Sequence, residues 1–445
     1  MNKFKQFWSN LRSNFWFMPT LIVLVSIALA LTLIQADSTG GSDRWLKQWP
    51  RLFGASAEGA RGMMSTIAGS MMTVVGVSFS MILVVLVLAS SQYTSRILRN
   101  FMRSRATQIV LGIFAGIFTY CLIVLRTIRS SDEGTFVPNL AVFFGFVMAL
   151  AGVGALMFFI HHIATSIQAS SIIASIAKET NATIDLLFPE KLGHGPDEDD
   201  DEQISPPLAK RNWCVIQSRE SGYIQNVNNA GLLRVARDWK TVVRMERGIG
   251  EFVVKNTPLV SLAMEDQPDQ EKIAALHAAF SISRFRSVEQ DPAFGIRQIV
   301  DVGLKALSPG INDTTTAVTC VDYLTSILAP MATRQIPSLH RYEKGELRVI
   351  AKGVSFENLL SESFDQIRNN ANGNVEIILR MLDSLQTLIG LTASPYRRRA
   401  LREQVQLIDE LAEHTVKSIH DHDRINTRLA QVNEILETDP VLCEG

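Results

Sequence analysis

Four long apolar stretches occupy the first third of this 445-residue chain, whereas the remainder mixes apolar and polar positions at short intervals. Each stretch reaches about 20 residues, the length at which an α-helix crosses the hydrocarbon core of a bilayer, and none contains an acidic or basic residue. They cover Phe17–Ala36, Ile67–Ser90, Thr107–Leu125 and Pro138–Ile160. The pattern predicts a domain of four transmembrane helices over residues 17–162, preceded by a short cytosolic segment, residues 1–16.

The distribution of cations around these stretches predicts the orientation of the chain. Lysine and arginine are retained on the cytoplasmic side of short loops. Two segments are basic and carry no acidic residue: the N-terminus, with Lys3, Lys5 and Arg12, and the loop between spans two and three, with Arg96, Arg99, Arg103 and Arg105. Both are therefore expected in the cytoplasm, and so is everything that follows span four.

The rest of the chain predicts a cytosolic α+β body in four parts. Residues 163–190 continue span four as an amphipathic helix, and residues 191–210 form a linker, because the unbroken acidic run Asp197–Glu202 repels itself and stays solvated. Residues 211–265 hold short β-branched runs punctuated by Gly, Asn and Pro, including "WCVIQS", "LLRVA" and "PLVSLA". Residues 271–437 have helical periodicity, with helices expected at Phe356–Arg368, Val375–Leu391 and Arg398 to about Leu436.

The β segment is expected to be a small barrel-like module. "SGYIQNV" and "GIGEFVVKNTPLVSL" resemble the hairpins of lipoyl-like barrel-sandwich proteins, with Asn256 where a second glycine would stand. No modifiable lysine lies at a hairpin tip, so a carrier of a prosthetic group is not expected. The predicted fold class is thus an α-helical membrane protein with four transmembrane helices, followed by a small β-barrel-like module and a helical domain.

Composition narrows the classes of function. The formal net charge of −1 argues against a nucleic-acid-binding protein, which would carry a strongly basic domain. Cys121, Cys214, Cys320 and Cys443 stand alone, without the spacing of a zinc site or a disulfide framework. We therefore expect no metal and no cofactor, and the expected partners are the lipid bilayer, further copies of the chain and a small anion or ion.

The stretch "KALSPGINDTTTAVTC", Lys305–Cys320, is the strongest candidate for chemistry in the body. Pro309 ends one helix near Leu307, Gly310 permits a reversal, and Asn312 or Asp313 can cap the next helix. The same amides and hydroxyls could hold an anion at a helix N-terminus, with upstream arginines nearby. The candidate ligand residues are Arg284, Arg286, Gln290, Asp291, Arg297, Ser308, Gly310, Asn312, Asp313, Thr314 and Thr315. A plain helix corner explains most of this pattern, so both interpretations stay open.

Small residues recur on one face of span two. Steps of three or four residues place Ser65, Gly69, Thr73, Gly76 and Ser80 on that face. Such a face can line a hydrated pore, or it can let helix backbones approach closely in lipid. The sequence alone does not separate these two roles.

Several long motifs resemble one family of bacterial membrane proteins, the domain of unknown function 2254. They include "LFGASAEGARGMMSTIAGSMMTVVGVSFSMILV", "SSQYTSRILRNFMRSRATQIVLGIF" and "EQDPAFGIRQIVDVGLKALSPGINDTTTAVTC". The resemblance covers about Phe15 to Leu411 and implies an inner-membrane protein with several spans and a cytosolic body. It implies no catalytic residues.

Two functional hypotheses follow. The first is an oligomeric channel or transport component with a cytosolic regulatory body, suggested by the face of span two. The second is a membrane-anchored ligand-sensing or scaffold protein without transport activity, suggested by the Ser308–Thr316 corner. An enzyme is not expected, because no nucleophile is paired with a base and no P-loop, GxSxG or HExxH motif occurs.

Overall fold

The structure is a computed structural model that describes residues 16–39, 56–92, 105–131, 134–188, 212–264, 268–343 and 345–438. The predicted segment 1–16 (apart from its last residue), most of the basic loop between spans two and three, and the acidic linker 191–210 lie outside the described residues. The chain divides into two compact units, Met1–Gln168 and Ala169–Gly445, which are described separately.

The first unit contains four helices that are long and apolar enough to cross a membrane, as predicted. They are α1 (Phe17–Ser38), α2 (Ala57–Gln92), α3 (Arg105–Thr127) and α4 (Asn139–Ser166), with a short hairpin of β1 (Arg129–Ser131) and β2 (Gly134–Phe136) between the last two. In the most apolar part of α3, 56% of the residues are buried, whereas the same share is 17% in each of the other three helices. Helix α3 is therefore the central helix of this unit, and it packs on α1, α2 and α4.

Small residues let the helices of this unit approach closely. A Cβ added at Gly112 of α3 would lie 3.0 Å from the Cα of Pro19 in α1, and one added at Gly152 of α4 would lie 3.0 Å from Ile117 of α3. Without water to separate them, helices in lipid associate through this kind of van der Waals packing. Gly112 and Gly152 thus have a packing role inside the unit.

Polar contacts fix one end of the four helices. The buried carboxylate of Asp37, at the end of α1, accepts hydrogen bonds from the backbone N–H of Leu140 (3.3 Å) and of Ala141 (3.1 Å). These are first-turn amides of α4, which have no partner inside their own helix. The Tyr120 hydroxyl donates to the Ala141 carbonyl at 2.7 Å. One helix therefore supplies the cap of another.

The second unit combines a helical layer with two sheets. Its helices are α5 (Ala169–Leu187), α6 (Asn229–Asp238), α7 (Gln270–Ala278), α8 (Pro292–Ala306), α9 (Thr314–Thr333), α10 (Phe356–Asn370), α11 (Val375–Leu391), α12 (Pro395–Thr415) and α13 (Ile419–Glu437). Its strands are β3 (Cys214–Gln217), β4 (Gly222–Val227), β5 (Val243–Met245), β6 (Phe252–Val253), β7 (Pro258–Leu262), β8 (Phe280–Ser283), β9 (His340–Glu343) and β10 (Glu346–Ile350).

Helix α5 is an integral part of this unit, packed against α8 and α9. At its crossing with α8, the absence of a side chain at Gly295 leaves room for Thr180. The Thr183 hydroxyl donates to the Val288 carbonyl at 3.0 Å, and Arg334 forms an ion pair with Asp185 at 2.7 Å. These contacts hold α5 in place along its second half.

The strands form two open sheets rather than the barrel-like module that we predicted. Among the described residues the five-stranded order is β3-β7-β5-β10-β9 and the three-stranded order is β6-β4-β8. A closed barrel requires its outermost strands to pair with each other, and here β3 and β9 remain edges. Asn256 adopts φ 65°, so it does occupy a position that would suit glycine.

Local structure differs from the prediction at three places. The run "LLRVA" lies in helix α6, which Asn228 caps by accepting from the Gly231 N–H at 3.0 Å. Strands β8, β9 and β10 come from the region expected to be helical, and β10 pairs in parallel with β5. The helix expected from Arg398 to about Leu436 is interrupted after Thr415, and Ser418 caps α13. Sheet partners distant in sequence and local caps override periodicity in these segments.

We expect Gly295→Ala to destabilise the second unit by about 1–3 kcal/mol, because overpacking forces side chains and backbone apart. Its Cβ would collide with the Thr180 hydroxyl and lie 2.9 Å from the Thr180 Cβ. Thermal melting of the purified full-length protein in detergent measures the effect. Gly310→Ala is the matched control, because no heavy atom lies within 4 Å of its added Cβ. An equal loss of stability in both variants would contradict the packing argument.

Candidate functional site

The Lys305–Cys320 stretch is a helix corner, as predicted, and one detail differs. Helix α8 ends at Ala306, and Asp313, one of the two predicted cap residues, caps α9, accepting from the Thr316 N–H at 3.0 Å and from the Thr316 hydroxyl at 2.6 Å. The residue with positive φ is Asn312 (49°) rather than Gly310. Asparagine tolerates this left-handed conformation better than most residues, so the reversal does not depend on the glycine.

Several polar groups of this corner make local hydrogen bonds. The Ser308 hydroxyl donates to the Lys305 carbonyl at 2.7 Å, and the Thr314 hydroxyl accepts from the Asn374 amide at 2.9 Å. The hydrogen bonds from Thr316 hold the pKa of Asp313 below its usual range, so the exposed carboxylate stays charged. Thr315 is exposed, and its carbonyl accepts from Thr319 at 2.9 Å. The negative cap opposes rather than attracts an anion.

The candidate arginines do not join the corner. Arg284 and Arg286 precede α8, the corner follows it, and 15 residues of helix separate the two ends by about 22 Å. Arg284 is exposed. Arg297, in the helix itself, donates to Asp301 at 3.1 Å, as the i, i+4 spacing predicts, and contacts Glu362 at 3.4 Å. The predicted set of ligand residues is therefore divided between two places.

Residues at the beginning of α8 form a buried ionic cluster. Asp291 is 3% exposed, caps α8 by accepting from the Phe294 N–H at 3.1 Å, and binds Arg286 in a bidentate pair at 2.8 and 3.0 Å. Gly250, with φ 82°, lies directly against this pair, and a Cβ there would collide with the Asp291 carboxylate. Gln290 accepts from the Val227 N–H at 3.1 Å. This cluster joins α8 to the β4 strand and the loop after β5.

The small-residue face of α2 is exposed. Ser65, Gly69, Thr73, Gly76 and Ser80 all lie on the outside of the four-helix unit, and nothing lies within 4 Å of a Cβ added at Gly69 or Gly76. The buried face of α2 is a different one, formed by Ala60, Met64, Ala68 and Met71. Among the described residues of this unit, the small residues therefore have no packing partner in the same chain.

A cavity of about 690 Å³ lies in the second unit, beside the Asp291 cluster. Its volume is within the range of small-molecule sites. It is lined by the end of α5, by β4 and the first turns of α6, by the loop after β5, and by residues of the β9–β10 hairpin and the beginning of α10. The candidate residues that line it are Gln290 and Asp291; the corner residues do not.

The floor and the mouth of this cavity differ in polarity. The floor consists of apolar side chains that are at most 8% exposed: Phe188, Val227, Leu232, Met245, Ile336 and Val349. The mouth carries exposed polar residues, namely Asn229, Arg341, Tyr342, Lys352 and Asn358. An apolar pocket with a few polar groups at one end is the usual form of a small-molecule site.

The acidic groups of the cavity are neutralised by neighbours. Asp291 is paired with Arg286, and Glu251 contacts Lys352 at 2.7 Å and Arg247 at 3.4 Å. Burial raises the pKa of Glu251, but hydrogen bonds from Lys352, the Gly248 N–H and Arg247 outweigh it and keep the pKa below its usual value. Glu251 therefore stays ionised and bound to cations at neutral pH, and Asp291 is held in its ion pair with Arg286.

The cavity was not recognisable in the sequence, because its lining comes from six separated segments. Among the described residues, no group of three His, Cys, Asp or Glu side chains could hold a metal ion. Burial raises the pKa of the Cys320 thiol to about 12, so this residue of the corner stretch stays protonated at neutral pH.

The architecture and the comparisons agree on the class of the protein. Four apolar helices of bilayer length, followed by a separate unit of helices and open sheets, define a multi-pass helical membrane protein. The family model "Predicted membrane protein (DUF2254)" matches residues 12–387, so the chain belongs to this family. The chain is 28% identical to uncharacterized proteins of Mycobacterium bovis and Mycobacterium tuberculosis, over 98% of its own length and 83% of theirs. No solved structure matches it.

We expect Asp313→Ala to lower the stability of the second unit by about 1 kcal/mol, the usual effect of losing an N-cap. Asp313→Asn should retain most of the stability, because an asparagine side chain can still accept from the Thr316 N–H. Thermal melting of the full-length protein, followed by circular dichroism, compares the two variants. Equal losses in both would show that the negative charge of Asp313, rather than its cap, stabilises the corner.

Proposed function

We propose that this protein is an inner-membrane receptor: a four-span membrane unit with a cytoplasmic body that binds a small molecule and regulates the spans. The observation that carries the proposal is the cavity with its buried apolar floor and polar mouth. The basic segments around the spans support a cytoplasmic N-terminus and body. The role is binding rather than catalysis, since both acids of the cavity are engaged in ion pairs.

Helix α5 supports a regulatory connection between the cavity and the membrane. Its last residue, Leu187, and the following Phe188 line the cavity, and Arg334 donates to the Phe188 carbonyl at 3.2 Å. At its other end, α5 begins only two residues after α4 ends at Ser166. A ligand that contacts Phe188 therefore acts on the element that continues the chain from span four.

A photoreactive probe tests the proposed binding. We expect hexadecanol carrying a chain diazirine, or hexadecanoate carrying the same group, to label segments 227–233 and 336–354 of the full-length protein in detergent. Ala230→Trp should abolish this labelling, because Ala230 lines the cavity from the first turn of α6 and is partly open to solvent. Arg234→Trp, on the same helix but outside the lining, is the control and should label normally. Failure of both probes to label these segments in the wild type would overturn the proposal.

The exposed face of α2 favours a second candidate, an oligomeric channel or transport component. Exposed glycines and hydroxyls on a transmembrane helix allow close contact with a further copy of the chain, and around a central axis the same face would line a path for a small anion or ion. The Thr73 hydroxyl donates to the Gly69 carbonyl at 3.1 Å, so it is turned back to its own helix in the single chain.

Conductance of liposomes containing the full-length protein tests this candidate. Thr73→Trp and Ser80→Trp should block a path lined by the small-residue face. Met81→Trp is the control, because Met81 is an exposed apolar residue of α2 that lies about 100° around the helix from Ser80, outside that face. A conductance that all three variants leave unchanged, or the absence of conductance with the wild type, would exclude a pore along this face.

A further inference from the structure

We infer that the ligand of the cavity is an uncharged amphipath: a single apolar chain that lies on the floor, with a hydroxyl, ester or amide head at the mouth. This inference deepens the proposed function and rests on it, because the proposed function requires only that some small molecule binds. Three observations carry it: the polarity of the cavity, the pairing of its charged side chains and the amide side chains at its mouth.

The polarity of the cavity sets the orientation of the ligand. The six apolar floor residues are at most 8% exposed, whereas the polar residues of the mouth are exposed. An apolar chain gains free energy by leaving water for the floor, while a polar head on the same floor would lose its hydration without a hydrogen-bond partner. The chain of an amphipathic ligand therefore lies on the floor, and its head lies at the mouth.

The four charged side chains of the lining already have partners. Asp291 is held by Arg286 through two hydrogen bonds, at 2.8 and 3.0 Å. Glu251 and Lys352, which both line the cavity, contact each other at 2.7 Å. Arg341 also has an interaction partner. No charged group of the lining is therefore available to a ligand without competition.

Lys352 illustrates this competition, because it interacts with two carboxylates, Glu251 and Glu246. Burial raises the pKa of Glu246, but hydrogen bonds from Ser261 and Arg244 and the charges of Arg244 and Lys352 outweigh it and keep the pKa below its usual value. An anionic head at Lys352 would compete with both carboxylates, and a cationic head at Glu251 would compete with Lys352. A charged head of either sign would thus exchange one ion pair for another, with little net gain.

The side chains of the mouth that have no partner are uncharged. Asn229 lines the cavity from the first residue of α6, and Asn358 lines it from the first turn of α10. In the part of the chain that the structure describes, neither side-chain amide makes a hydrogen bond, and neither does the Tyr342 hydroxyl. An amide both donates and accepts hydrogen bonds. The mouth can therefore bind a hydroxyl, ester or amide head without breaking an ion pair.

Three diazirine probes with the same sixteen-carbon chain test the inference in the full-length protein in a nonionic detergent: hexadecanol, hexadecanoate and hexadecylamine. We expect the alcohol to label segments 227–233 and 336–354 at about tenfold lower mole fraction in the detergent than either charged probe, because only the alcohol gains hydrogen bonds without displacing an ion pair. Unlabelled hexadecanol and unlabelled monohexadecanoylglycerol are the competitors. The stronger of the two distinguishes a single hydroxyl from the glyceride head of a membrane lipid.

Variants at the two amides locate the head. Asn229→Leu combined with Asn358→Leu should weaken labelling by the alcohol severalfold, since hydrogen bonds to both amides are lost, and should leave labelling by the charged probes unchanged. Asn369→Leu is the matched control, because Asn369 is an exposed residue of α10 outside the lining. Thermal melting shows whether each variant is folded, and the two single variants replace the double variant if it is not.

The outcomes separate the inference from the proposed function. Labelling by a charged probe at the same mole fraction as the alcohol, or at a lower one, would overturn the uncharged head and leave the cavity as a small-molecule site. A preference for the alcohol that the asparagine variants do not reduce would overturn the assignment of the head to the two amides. No labelling of the two segments by any of the three probes would overturn the proposed function itself.

Discussion

The packing of α5 against α8 is the contact on which the second unit depends. Gly295 allows the two helices to approach until Thr180 fills the space of the missing side chain. This contact fixes the position of α5, whose end forms part of the cavity floor, and α8, whose beginning carries the Asp291 cluster at the cavity edge. Because α5 follows span four after two residues, the same contact determines where the chain enters the body. Helix α5 thus takes part in the packing of the second unit, lines the cavity and continues the chain from span four.

The two units meet different solvents and solve the burial of polar groups differently. In the membrane unit, backbone amides at a helix end receive a carboxylate from another helix, Asp37, because a bilayer supplies no water to unpaired groups near its core. In the body, each helix that has a side-chain cap is capped by the Ser, Asn or Asp just before its first residue. Examples are Asp291 for α8 and Ser355 for α10. The body can therefore leave polar groups exposed at a cavity mouth.

Local signals in the sequence predicted the structure correctly. Apolar length located the four spans, and the Asn312–Asp313 pair after Pro309 marked the beginning of α9. The predictions were wrong where partners distant in sequence decide the structure. The residues of β10 form a strand because β5 pairs with them, and the short apolar run "LLRVA" follows its Asn228 cap into a helix. Arg286 and Asp313, which the sequence brought into one candidate set, lie at opposite ends of α8, because sequence proximity ignores the length of the helix between them.

The sequence by itself determined the membrane class, the number of spans and a helix corner capped by Asn312 or Asp313, since hydrophobic length, proline geometry and capping act over a few neighbouring residues. Only the tertiary structure decided which face of α2 is buried, which residues share a cavity and how its charges are paired. These properties depend on contacts between side chains from six separate segments of the chain. The periodicity within one segment does not predict such contacts. The candidate site therefore moved from a loop visible in the sequence to a cavity that exists only in the folded chain.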